Sequence, residues 1–240
     1  MKNALFVFAL IGCAGSAMGQ TISPAGPSAA GQGGYVNRAT YQMDDGNAEN
    51  SFGLTSGGYL VASNQFNVAG GNNVLTSLEV TWGCDEFVGQ NGVVAGSFFD
   101  VFIWADTLPG AGPQPGSLLF AGGGNIDPGA IDNNVFQTVA LPGVVVPGAG
   151  FLIAVGQNHA GGTYPFTVDA NGPGLGRSFF SGSTGFDPNT NPGFGGGPAL
   201  DASAIGFGNL NFMIRANAVP TPGALALLGL GGLIVGRRRR

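Results

Sequence analysis

The feature that most constrains this chain is its punctuation. From Tyr35 onward, short runs of alternating apolar and polar residues are cut off at close intervals by clusters of Gly, Pro, Asn and Asp. Glycine (46) and proline (15) together make up about a quarter of the 240 residues, and no helical period is sustained between them. Such breaks exclude coiled coils and ordinary helical enzymes, because glycine and proline are the poorest helix formers. The 44% of hydrophobic residues, including 18 Phe, still supply a core. A turn-rich all-β domain is the fold class that satisfies both facts.

The clearest strand is Val74 to Trp82, where Val74, Thr76, Leu78, Val80 and Trp82 alternate with Leu75, Ser77, Glu79 and Thr81. Ser97 to Ala105 places Phe99, Val101, Ile103 and Ala105 on one face, and Phe98, Asp100, Phe102 and Trp104 on the other. Further strands are expected at Tyr59–Val68, Ser117–Ala121, Val135–Leu141, Gly150–Gly156, Thr163–Asp169, Gly176–Phe180 and Leu210–Ala216. Nine short strands between turn signals predict a single β-sandwich or jelly roll over 35–216. Residues 20–34 read as a flexible leader, and the Gly/Pro-rich stretch Ser181 to Pro198 reads as a long loop.

The charges are few and segregated. Between residues 20 and 222, Arg38, Arg177 and Arg215 face all 13 acidic residues, a net charge of −10. Nucleic-acid binding rests on cations that displace counterions from phosphates, so that class of partner is excluded. Arg177 is expected to pair with a carboxylate inside the domain.

Both ends read as addresses. Lys2, the apolar stretch Ala4 to Gly12 and the small residues of Ala17-Met18-Gly19 form a signal-peptide pattern over 1–19, cut by signal peptidase before Gln20. A rival reading takes Leu10-Ile11-Gly12-Cys13 as a lipobox, which would lipidate Cys13. At the other end, Val219-Pro220-Thr221-Pro222 precedes an apolar run from Gly223 to Gly236, followed by Arg237, Arg238, Arg239 and Arg240. Fourteen residues of helix reach only about 21 Å, short of a hydrocarbon core of about 30 Å. The arginines hold that end on the cytoplasmic side.

This ordered tail, 217–240, resembles the PEP-CTERM sorting tail of bacterial surface proteins. The resemblance implies an exosortase-type processing enzyme as partner and transient membrane attachment through the apolar helix. Thr221 stands where that family has an acid. The alternative is a permanent tail anchor. The body is similar to a loose group of secreted bacterial β-sandwich modules, through Tyr41-Gln42-Met43-Asp44-Asp45-Gly46-Asn47-Ala48-Glu49-Asn50 and Gly176-Arg177-Ser178-Phe179.

Candidate chemistry is sparse. Asp44, Asp45, Asn47 and Glu49 form the densest oxygen cluster and suit Ca²⁺, which takes six to eight oxygen ligands. The competing reading is a solvated turn with Asx hydrogen bonds. Cys84, alone once the signal is removed, is expected to be a small buried hydrophobe. His159, the only histidine, is expected in a loop. Trp104 and Tyr164 are candidate glycan contacts, against the reading that such aromatics pack inside the sandwich. No nucleophile elbow appears. The expected function is an exported, non-enzymatic structural or adhesive protein of the cell surface or extracellular matrix. The alternatives are a carbohydrate-binding module of the exopolysaccharide matrix and a secreted hydrolase.

Overall fold

The computed structural model describes residues 8–10, 39–69, 71–107, 115–171, 176–182, 200–201 and 210–221. The leader 20–34, the bulk of the Ser181–Pro198 loop and the tail from Pro222 to Arg240 lie outside the described residues.

The regular structure of the described residues is β, apart from two short 3₁₀ turns at Asp85–Phe87 and Pro128–Ala130. Every strand pairing is antiparallel. One layer is a six-stranded sheet of order β12 (Leu200–Asp201), β11 (Ser178–Gly182), β4 (Gly58–Asn67), β9 (Gly150–His159), β6 (Phe98–Asp106) and β7 (Pro115–Asn125). The facing layer is built from two four-stranded sheets. The first runs β2 (Ala39–Tyr41), β14 (Ile214–Val219), β5 (Val74–Val80), β8 (Gln137–Val145). The second runs β1 (Phe8–Leu10), β3 (Asn50–Leu54), β10 (Phe166–Asp169), β13 (Asn211–Phe212). Thus Phe8–Leu10, inside the expected signal segment, is extended and pairs along β3.

The sandwich expected from the turn spacing is the fold observed. Alternation puts Leu60, Ala62 and Phe66 of β4, Phe151, Ile153 and Val155 of β9 and Phe99, Val101 and Ile103 of β6 into one core. Opposite them lie Leu75, Leu78, Phe52, Phe166, Val168 and Phe212. Aromatic rings bridge the layers, with Phe52 and Phe180 4.8 Å apart and Trp82 and Phe99 also 4.8 Å apart. These spacings fall in the range of favourable ring pairs.

Two departures from simple alternation have local causes. In β5 a bulge lies between Leu75 and Ser77, so Leu75 joins Leu78 and Val80 in the core while Val74 and Thr76 are half-buried. The expected strand Leu210–Ala216 is split at Met213 into β13 and β14, which belong to different sheets. Asn64, at the centre of β4, closes that split. Its Nδ2 donates to the carbonyls of Phe212 (2.8 Å) and Ile214 (2.9 Å), and its Oδ1 accepts from Ser178 Oγ at 2.8 Å. A buried amide thus supplies the partners that the broken ladder lacks.

Candidate functional site: an aromatic platform on the outer sheet face

The outer face of the six-stranded sheet changes character along β6. At one end Phe102 and Trp104, with ring centroids 5.5 Å apart, pack with Val61, Leu152 and Ala154 into a second apolar cluster. Trp104 is only 1% exposed. The expectation that it contacts glycan is therefore corrected: the two-faced hydrophobic strand buries its second face as well. Tyr164, half-buried before β10, belongs to the facing layer, and its N–H donates to Asn91 O at 2.8 Å. The two sequence candidates are not brought together.

At the other end of the same strand Phe98 is 60% exposed. Its ring lies over Gly123 of β7, where a Cβ would stand 2.5 Å from the ring and 2.3 Å from the Phe99 carbonyl oxygen. Tyr59 of β4 likewise crosses Gly156 of β9, where a Cβ would meet its hydroxyl at 2.3 Å. The Tyr59 hydroxyl donates to Asp100 Oδ2 at 2.7 Å, and burial together with that carboxylate raises the phenol above its ordinary pKa. Glycine at both floor positions lets two aromatic rings lie against the sheet instead of standing up from it. Asn158, opposite Tyr59, and Asn125, opposite Phe98, are exposed amides at the margins.

A cleft of about 110 Å³ opens beside this platform, lined by Val93, Ser97, Gln157, Asn158, His159 and Thr163 among others. Gln157 Oε1 is buried there without a hydrogen-bond partner. His159 is not a loop residue: it ends β9, and its Nε2 accepts the Leu54 N–H at 3.2 Å. The ring proton therefore sits on Nδ1, which faces Ala160 O (3.0 Å) and Thr163 Oγ1 (2.9 Å). Burial lowers its pKa, consistent with a neutral ring that ties two strands.

The acidic cluster is rearranged relative to the sequence reading. Asp44 is drawn away into an ion pair with Arg215, whose Nε donates to both carboxylate oxygens at 3.0 and 3.2 Å while the guanidinium lies 3.8 Å over the Phe136 ring. The ion pair in this region thus falls on Arg215; among the described residues Arg177 has none. Asn47 is exposed and enters through its backbone, donating to Asp45 Oδ1 at 2.8 Å. Asp169, which lies 124 residues from Asp45 along the chain, takes the place of Asp44 and accepts the Asp45 N–H at 3.0 Å. Ligand oxygens of Asp45, Glu49 and Asp169 all lie within 4.8 Å of one another. Burial, and then the two neighbouring aspartates, push the Glu49 carboxyl up to about 7, against a lowering contribution from the Ala170 N–H.

Cys84 is buried, its thiol 3.4 Å from Ala48 O, and burial pushes its pKa up to about 11. It is a thiol at neutral pH and packs with Ala48 and Met213. Strand β14 runs past Ala216 to Val219, which pairs with Val74, so the sheet extends into the 219–222 motif. Thr221 Oγ1 is hydrogen-bonded to Asn73 Oδ1. Among the described residues no helix is long and apolar enough to cross a membrane.

No protein-family model and no curated protein matches the chain. Among solved structures, that of the cysteine protease and lectin-like domains of Cwp84, a surface layer associated protein of Clostridium difficile, superposes with a TM-score of 0.50 at 14% identity. The match covers 77% of this chain and 36% of that one. A second structure of this clostridial cysteine protease, after propeptide cleavage, gives 0.47 at 14% identity over 77% and 41% of the two chains. The chain thus spans little more than a third of the Cwp84 chain it resembles, and the likeness is one of β-rich fold.

Proposed function

We propose that this chain is an exported, non-enzymatic surface module that engages extracellular polysaccharide through the Tyr59–Phe98 end of its six-stranded sheet. The observation that carries this reading is an exposed ring, Phe98, set over a glycine floor beside a phenol–carboxylate pair and two exposed amides. Sugar rings present apolar C–H faces and a periphery of hydroxyls, which such a surface complements with stacking and hydrogen bonds. A net negative, lysine-free body favours neutral over polyanionic glycans.

The signal segment, the sorting-like tail and an exosortase-type partner fit an export route to the cell surface. The likeness to Cwp84, a surface layer associated protein with a lectin-like domain, supports this reading. A purely structural or adhesive role is the second reading, favoured by the buried aromatic cluster around Trp104, which removes that end of the outer face from contact with a ligand.

Retention of the full chain on a panel of immobilised polysaccharides tests the proposal. Binding to at least one neutral glycan is expected, with Phe98→Ala and Asp100→Asn each weakening it roughly tenfold, the size of one lost contact of about 1.4 kcal/mol. Retention by none of them, or retention indifferent to Phe98→Ala, would favour the structural role. Release of sugar fragments on incubation would favour the hydrolase.

A further inference from the structure

The acidic cluster lies in the facing layer, apart from the Tyr59–Phe98 platform. Asp169 ends β10 and Asn211 opens β13, and the two are directly paired across the antiparallel ladder. Directly opposed residues project on the same face with their Cβ atoms about 5 Å apart, so the Asn211 amide stands beside the Asp169 carboxylate. Asn211 is fully buried, yet neither its Oδ1 nor its Nδ2 has a hydrogen-bond partner. Thr167, two residues before Asp169 and on the same face, also has a buried hydroxyl without a partner. Native proteins rarely leave an interior amide unsatisfied at both ends, and each such case asks for an absent ion or water.

We propose that Asp45, Glu49, Asp169 and Asn211 form a binding site for a hard divalent cation of the Ca²⁺ class. Calcium takes carboxylate and amide oxygens at 2.3–2.6 Å, so its ligand oxygens stand up to about 5 Å apart across the ion. One carboxylate oxygen from each of Asp45, Glu49 and Asp169 lies within 4.8 Å of the other two. They are held by backbone donors that leave lone pairs free: Ala170 N–H to Glu49 Oε2 at 2.9 Å, Asn171 N–H to Asp169 Oδ1 at 3.0 Å and Asp45 N–H to Asp169 Oδ2 at 3.0 Å. Asn171 Nδ2 also donates to Glu49 Oε1 at 2.7 Å. The donor set comprises three carboxylates and one amide with no sulfur or imidazole, which selects calcium over zinc or copper. The ion would pin the 42–49 segment to the ends of β10 and β13.

The rival occupant of the same geometry is a proton shared between Glu49 and Asp169, and metal titration separates the two. The full chain, stripped with a chelator, is titrated with Ca²⁺ by calorimetry, and its thermal midpoint is read in parallel. The expected result is saturable one-site binding, in or below the roughly 10⁻⁴–10⁻³ M range of extracellular sites, with a rise in midpoint. Asp45→Asn and Glu49→Gln are each expected to weaken it by at least about tenfold, while Asp85→Asn, outside the cluster, leaves it unchanged. Absence of binding through the millimolar range overturns the site, as does binding that both variants leave intact. Tighter binding of Mg²⁺ than of Ca²⁺ overturns the assignment to calcium.

Discussion

Strand β6 carries aromatic side chains at both ends of one face, and the two ends have opposite fates. Trp104 and Phe102 are enclosed with Val61, Leu152 and Ala154, whereas Phe98, on the same face of the same strand, stays largely in solvent. The difference lies in what surrounds each ring. Leucine, valine and alanine from neighbouring strands close around the first pair. The second end is floored by Gly123 and Gly156 and edged by Asp100, Asn125 and Asn158, whose polar groups keep that surface wet. An aromatic residue in a two-faced strand therefore becomes core or contact surface according to its cross-strand neighbours, not its own identity.

The largest expected effect breaks the buried end. Trp104→Ala should destabilise the fold by about 3–5 kcal/mol, the range for deleting a buried aromatic, as read by chemical denaturation. A loss below about 1 kcal/mol would mean that this end is open after all. Next comes the polar exception on the inner face of the same sheet. Asn64→Ala strips partners from the carbonyls of Phe212 and Ile214, and should cost about 1–3 kcal/mol for each group left unsatisfied. Asn64→Leu, close in volume, should fare no better, because the orphaned carbonyls remain.

A smaller effect is expected at the cleft beside the exposed end. Protonation of His159 removes the lone pair that accepts the Leu54 N–H, and burial holds its folded pKa below the ordinary 6.5. The unfolded chain therefore takes up the proton first as the pH falls. Stability should be fully present above about 6.5 and decline below it. His159→Gln should flatten that slope in denaturation series taken across the window. Cys84, raised to about 11 by burial, should stay unreactive to thiol reagents at neutral pH until the protein unfolds.

How legible all this was from sequence differs by level. The layered β architecture follows from alternation and turn chemistry, and β4, β6 and β9 fall within a few residues of the expected runs. The strand β3 escaped because Asn50-Ser51-Phe52-Gly53-Leu54 carries polar residues and a glycine that tertiary burial overrides. In β5 the bulge shifted the inward register, which periodicity alone does not encode. Asp44 and Asp169 exchanged places because Arg215, 171 residues from Asp44, claims the first, and the β3–β10 pairing delivers the second. The platform did leave a trace: Gly122, Gly123 and Gly124 sit within one strand, where glycine signals that something approaches the backbone closely.

The smallest expected effect on stability accompanies the most direct test. Phe98→Ala should change folding free energy by no more than about 0.5 kcal/mol, since the ring is largely solvated. The decisive measurement is polysaccharide affinity of that variant beside the unaltered chain, with equal stability verified by denaturation. Lost retention at unchanged stability is the predicted result. Full retention by a folded Phe98→Ala protein would contradict the assignment of this end of the sheet as the contact surface.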